Sequence, residues 1–350
     1  MDKILTVVIP TYNGEKYVAR AVRSVLDQPA GDHVNILLVD DGSTDSTGAV
    51  CDDLARAHEN VQVIHKPNGG VSSARNMGID HVTTKYVAFL DCDDWWNDGF
   101  FDQTLLEELS REDACDAYQF SFWQVDLSCR QKRVTHVKEE LFRYGENGLG
   151  RYDWAYHCSF ILSTGLLHRY GVRYPAARVG EDGPFIEMAL YFVRTFRRMD
   201  RVMFSYWMNA DSCVHTTRMM EAVTEAHKAN CQKAAFLAAH GEQVDTDVSL
   251  VWSVANRLPD LCAVCGHGDL RKFMRINCYD ILARRPDIHF GPRLWNRLGA
   301  YEKHPRLYWL KYRMTLGVCY AAMDLVKKIP GVYRVADYWI SRLRRGYTPL

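Results

Sequence analysis

Three short apolar runs separated by two amphipathic stretches constrain the first third of this chain more than any other feature. Leu5-Thr6-Val7-Val8-Ile9, Asn35-Ile36-Leu37-Leu38-Val39 and Val61 to His65 are too short for helices and rich in β-branched residues, as strands buried on both faces are. Between the first two, Tyr17, Val18, Ala21, Val22, Val25 and Leu26 recur at helical spacing, and a second helix is expected to end near His58. Strand, helix, strand, helix, strand is the pattern of a doubly wound, mainly parallel α/β sheet with flanking helices. In such sheets ligands collect in the crevice at the carboxyl ends of the strands.

The strand ends are where the polar residues cluster. Val87-Ala88-Phe89-Leu90 reads as a further buried strand and runs directly into Asp91-Cys92-Asp93-Asp94. Crowded carboxylates repel one another unless a cation neutralises them. Asp-x-Asp on extended backbone puts two side chains on one side, which suits a hard divalent ion such as Mg²⁺ or Mn²⁺. An acidic turn or helix cap is the competing reading. Asp40-Asp41-Gly42-Ser43 can accept from a base or ribose, or simply form an Asx turn. Asn13 can cap the helix after the first strand. Asn68-Gly69-Gly70 leads into a helix start that carries Arg75, a combination suited to an anion. There is no G-x-G-x-x-G and no Walker lysine motif, so dinucleotide and P-loop readings lose their support.

Composition narrows the class. Lys and Arg total 43 against 43 Asp and Glu, so the overall balance does not point to nucleic acid. From Lys303 to Leu350, however, ten basic residues face two acidic ones among Trp, Tyr and Leu, a pattern suited to an anionic membrane surface or to a solvated basic helix. No leader peptide and no apolar run of spanning length is evident, so a cytoplasmic location is expected, on or near the membrane's cytoplasmic face. Eleven cysteines without a secretory signal suggest reduced thiols. Cys262 and Cys265 lack a second ligand pair at zinc spacing and are expected in a helical core.

Four blocks carry a resemblance. Val7 to Asn13 (Val-Val-Ile-Pro-Thr-Tyr-Asn), Val39 to Asp45 (Val-Asp-Asp-Gly-Ser-Thr-Asp), Asn68 to Asn76 and Phe89 to Asp94 occur in that order. Together they resemble the signatures of family 2 glycosyltransferases with a GT-A fold, of the bacterial surface-polysaccharide type. The resemblance is strong over residues 1 to about 125 and looser to about 217. It implies a nucleotide-sugar-binding and catalytic domain over 1–217. Beyond it, Met219 to His240, Val248 to Cys265, Leu270 to Ala283 and Arg293 to Tyr301 read as helices, so 218–350 is expected to be a mostly helical region that associates with a membrane or serves the acceptor.

The resemblance also implies roles. Pro10 and Tyr12 would lie beside the base and Asp41 would reach uracil or ribose, while Asn68, Gly70 and Arg75 would line the nucleotide pocket. Asp91 would hold ribose or metal-bound water and Asp93 the metal, with His215 either a third ligand or a surface or capping residue, and Asp94 structural. The cofactor would be Mn²⁺ or Mg²⁺. Asp182, next to Glu181, resembles the catalytic base of an inverting transfer, although Asp182 could instead cap the helix that follows. Trp95 or Trp96 would contact a glycan or lipid-linked glycan acceptor. The implied reaction moves a sugar from a nucleotide donor, UDP-linked by expectation, to an acceptor hydroxyl. A scaffold protein that binds nucleotide sugars without catalysis is the rival reading.

Overall fold

The computed structural model describes residues 2–125, 131–134, 139–143, 156–208, 219–288 and 292–314. The chain divides into two compact units, Met1–Asn209 and Ala210–Leu350.

The first unit opens with strand β1 (Leu5–Thr11), helix α1 (Val18–Leu26), β2 (Val34–Asp40), α2 (Thr47–Ala57), β3 (Val61–His65), α3 (Val71–His81) and β4 (Tyr86–Phe89). β3, β2, β1 and β4 lie side by side and parallel, the doubly wound half expected from the apolar runs. Every residue of β1 is buried, because helices cover both faces of a parallel sheet. α1 buries Val18, Ala21, Val22 and Val25, a single stripe. α3 comes close to β1 at Gly78, where an added Cβ would stand 2.3 Å from Val8 Cγ1. Only a residue without a side chain allows that approach.

The rest of the unit continues through β5 (Trp95–Trp96), α4 (Gln103–Ser110), β6 (Ala117–Val125), β7 (Gln131–Val134), β8 (Glu140–Arg143), β9 (Phe160–Ser163), α5 (Thr164–Tyr170), α6 (Asp182–Tyr191) and β10 (Thr195–Trp207). The strand order is β3-β2-β1-β4-β9-β6-β10-β5, with β7 on β6 and β8 on β10. β7 runs antiparallel to β6. β9 is antiparallel to both β4 and β6, whereas β10 runs parallel to β6 through two register shifts. β9 and β10 have no clear signature in the sequence. The long β10 carries Arg197, Arg198, Asp200 and Arg201, and its irregularity between Met199 and Val202 breaks the period of two.

The second unit is helical as expected: α7 (Met219–Ala238), α8 (Thr246–Val264), α9 (His267–Met274), α10 (Asp280–Arg284), α11 (Pro292–Lys303) and α12 (Pro305–Tyr312). A π-helical turn, Arg275–Tyr279, interrupts what reads in the sequence as one helix from Leu270 to Ala283. Its core is built on Val251, Val254, Leu258, Leu261 and Cys262 of α8. Burial pushes the Cys262 and Cys265 thiol pKa values up, and among the described residues no further ligands gather with them. The thiols pack as apolar groups. No helix among the described residues is long and apolar enough to cross a membrane. Most of the basic tail lies outside the described residues, although Leu307, Leu310 and Met314 are exposed on and just beyond α12.

Candidate active site

Three strand ends build one wall of the site. Pro10 is buried within β1, and Tyr12 just beyond it is 51 % exposed. Asn13 has φ 49°, and its Oδ1 accepts from the Thr44 N–H at 2.9 Å. Asn13 therefore ties the turn after β1 to the turn after β2; it does not cap α1, whose N-cap is Tyr17. Asp40 forms the Asx turn, accepting from the Ser43 N–H at 3.0 Å. Asp41 points elsewhere. It is buried and accepts from the Gly69 and Gly70 N–H groups at 2.9 and 2.8 Å, and from Lys66 Nζ. In this state Asp41 moulds the Asn68-Gly69-Gly70 turn, with Asn68 exposed and Gly70 at φ 85° opening α3.

Beside it, His65 lies between two carboxylates, Nδ1 at 2.9 Å from Asp40 and Nε2 at 3.1 Å from Asp52. Hydrogen bonds to Asp40 and Asp52 raise the His65 pKa above 6.5. The imidazolium's stabilising contribution is therefore full below the unfolded value near 6.5 and is lost as pH rises through the higher folded value. An NMR titration of the His65 ring is expected to give a midpoint above 6.5 that moves down in Asp52→Asn.

The centre of the site is Arg75. It projects from α3 and is only 3 % exposed. Nη2 donates to Asp91 at 2.7 Å; Nη1 donates to Glu181 at 2.6 Å and lies 3.4 Å from Asp182. Its guanidinium also lies 5.2 Å from the ring centre of Tyr174, which stacks on Phe185. The anion-binding combination expected at this helix start is thus occupied by three carboxylates, two of them brought from α6 and the residue before it. His157 Nδ1 stands 3.1 Å from Asp182 Oδ1, the same oxygen that Arg75 approaches.

Glu181 and Asp182 differ in environment. The Glu181 side chain is 7 % exposed and the Asp182 side chain 32 %, so only Asp182 is open to an incoming group. Burial and the Asp182 charge push Glu181 up. Burial also works to raise Asp182, but His157 and Arg75 outweigh it and hold the carboxyl below the usual range. The two neighbouring carboxyls are thereby pushed apart in pKa, Glu181 upward and Asp182 downward. Asp182 occupies the first turn of α6 without capping it through its side chain.

The acidic loop completes the site. Asp94 is 1 % exposed and accepts from the Trp207 N–H at 2.8 Å; among the described residues its Oδ2 has no hydrogen-bond partner. Burial, then the charges of Asp93 and Asp91, raise its pKa well above the ordinary value. Such crowding is what a cation would relieve, so the carboxylate set of Asp91 and Asp93 fits a hard divalent ion. A second grouping, Asp91, His157 and Cys158, has ligand atoms within 4.8 Å of one another. Burial keeps the Cys158 thiol protonated, and a thiol does not suit Mg²⁺ or Mn²⁺. His215 lies outside the described residues.

The aromatic pair after the loop separates in role. Trp96 is 1 % exposed and packs on Phe100 and Phe101, so it is a core residue and not an acceptor contact. Trp95 is partly exposed and lies against Arg20. Arg20, His157, Tyr174 and Trp207 enter the site without any motif to announce them. Their only signal is residue type, and the fold alone brings them in.

Comparison with known proteins agrees with this architecture. Residues 6–164 match the model of the family described as Glycosyl transferase family 2. EpsJ of Bacillus subtilis, named an uncharacterized glycosyltransferase, is 29% identical over 223 residues, which cover 61% of this chain and 63% of EpsJ. TuaG of the same organism, a putative teichuronic acid biosynthesis glycosyltransferase, is 34% identical over 139 residues, covering 39% and 54% of the two chains. GlyG of Streptococcus pneumoniae is 36% identical over 115 residues, 33% of this chain and 38% of GlyG. The matches thus span less than two thirds of these relatives. A crystal structure of S. aureus TarS 1–349 in complex with UDP-GlcNAc superposes with a TM-score of 0.58 at 17% identity, covering 91% of this chain and 92% of that one. Residues 6–164, which hold the four blocks and the parallel strands that present them, are thus the part of this chain that is similar to the glycosyl transferase family 2.

Proposed function

We propose that the chain is an inverting, metal-dependent glycosyltransferase of cell-surface polysaccharide assembly. In this reading it moves a sugar from a UDP-linked donor to a hydroxyl of a glycan or lipid-linked glycan. The observation that carries the reading is the Arg75 junction, which joins the Asp91 loop to the solvent-open carboxylate of Asp182. Donor and acceptor chemistry need those two groups on either side of one sugar carbon. The named ligands of TarS, UDP and UDP-GlcNAc, support a uridine nucleotide as donor.

Within this proposal the strand-end wall receives the nucleotide. Tyr12 and the Asn68–Gly70 turn are exposed there, and Asp41 meets the base either directly or through that turn. Asp93 and Asp91 would hold Mn²⁺ or Mg²⁺, which supplies neutralisation of the diphosphate and of the charge left on it. Asp182 takes the proton of the acceptor hydroxyl, oriented by His157 and Arg75, while Glu181 holds its own proton out of contact with water. Residues 1–217 would contain this machinery, and residues 218–350 would serve the acceptor or an anionic membrane surface.

The metal role has a direct test. Asp93→Ala is expected to weaken UDP binding in the presence of Mn²⁺ by about tenfold or more, about 1.4 kcal/mol. Metal-free binding should stay as it was. Calorimetry with and without Mn²⁺ reads both, and equal effects of Mn²⁺ on variant and parent would reject the assignment.

A further inference from the structure

Arg20 is an exposed residue on α1, where a solvated charge is the ordinary expectation. Its guanidinium is instead lodged against two indoles, 4.1 Å from the ring centre of Trp95 and 5.2 Å from that of Trp207. Nη2 donates to the backbone carbonyl of Asp93. Tyr17, three positions earlier on the approach to α1, meets Trp207 edge-on at 5.3 Å. The same loop is anchored from two other directions: the Trp207 N–H holds Asp94 at 2.8 Å, and the Trp96 N–H donates to Ser24 Oγ of α1 at 2.9 Å. Asp94 and Asp93 are the charges that pull most strongly on Arg20, against the cost of its partial burial. Flat stacking on two rings and a fork-shaped donor are properties of Arg that Lys does not share.

We propose that Arg20 is a positioning residue for the acidic loop: wedged against Trp95 and Trp207, it fixes the Asp93 backbone and so presets the Asp91 and Asp93 carboxylates for a divalent cation. The ordering of the loop stands on the contacts alone; the consequence for the cation rests on the metal reading given above. The sign of the effect separates this role from simple electrostatics. A nearby positive charge that merely repels a cation would, on removal, make the site bind more tightly. A positioning residue, on removal, makes it bind more weakly.

The test uses Arg20→Ala and Arg20→Lys in the full chain, with two readouts. The first is backbone amide hydrogen exchange at Asp94 and Trp207 in the ligand-free protein. The second is Mn²⁺ binding in the presence of UDP, followed by the electron paramagnetic resonance of free Mn²⁺. Arg20→Ala is expected to speed exchange at both amides and to weaken Mn²⁺ binding about tenfold or more, with Arg20→Lys restoring only part of each. Unchanged exchange, or tighter Mn²⁺ binding in Arg20→Ala, overturns the proposal. Should the parent chain bind no Mn²⁺, the metal reading fails and exchange alone decides for Arg20: faster supports its role, unchanged rejects it.

Discussion

Asp182→Asn is expected to reduce sugar transfer by about 10²–10⁴-fold, the contribution typical of a general base, while UDP binding and thermal stability remain close to those of the parent. Asparagine keeps the size and one acceptor oxygen of the side chain, so Arg75 still has Asp91 and Glu181 and the junction stays formed. What disappears is the capacity to take a proton. Glu181 cannot substitute, because its side chain is 7 % exposed and turned onto Arg75. Initial rates of UDP release with acceptor, beside calorimetric UDP binding, separate the two effects. Transfer at a near-parent rate would remove Asp182 from the mechanism. A loss of UDP binding together with transfer would show instead that Asp182 shapes the donor site.

The second large effect is on stability. Arg75→Met leaves Asp91, Glu181 and Asp182 around a buried position with no cation. Breaking a buried ion pair by removing one partner costs about 3–5 kcal/mol. In a unit of this size that corresponds to a fall in melting temperature of roughly 6–20 °C. Arg75→Lys should recover little, since its single ammonium nitrogen cannot stand at the separate positions of Nη2 on Asp91 and Nη1 on Glu181. The pH dependence has a definite sign. Arg75 lowers the pKa of both Glu181 and Asp182. Without it their folded values rise, the folded variant binds more protons than the unfolded chain, and its deficit shrinks as pH falls. Melting curves of parent and variant across the acidic to neutral range check this. A deficit that stays constant with pH would mean that packing against Tyr174, and not charge, is what Arg75 supplies.

Tyr174 illustrates how the site was only partly legible. The blocks that present Pro10, Asp41, Gly70 and Asp91 are local: each is a strand followed at once by its turn, so spacing along the chain already places them at one edge of a parallel sheet. The π-stack of Tyr174 on Phe185 beneath Arg75 has no such local mark. Trp96 shows the converse. An aromatic pair after an acidic motif suggests ligand contact, yet one ring of the pair faces Phe100 and Phe101, because the two-residue β5 sends neighbouring side chains to opposite faces.

The sequence by itself determined the parallel half of the sheet, the helical character of the C-terminal region and the positions of the strand-end carboxylates, because each depends on residues adjacent in the chain. Only the tertiary structure decided what those carboxylates meet. Arg75 reaches Glu181 and Asp182 across 106 and 107 positions, and the Asp94 carboxylate is fixed by a backbone N–H 113 positions away. Those encounters pass through β9 and β10, one short and one broken by bulges, whose pairing is set by long-range hydrogen bonds and not by any local pattern. Burial then turned proximity into chemistry. Low exposure around Arg75 makes its partners' charges interact strongly, and burial pushes the Glu181 pKa up while His157 and Arg75 hold that of Asp182 down.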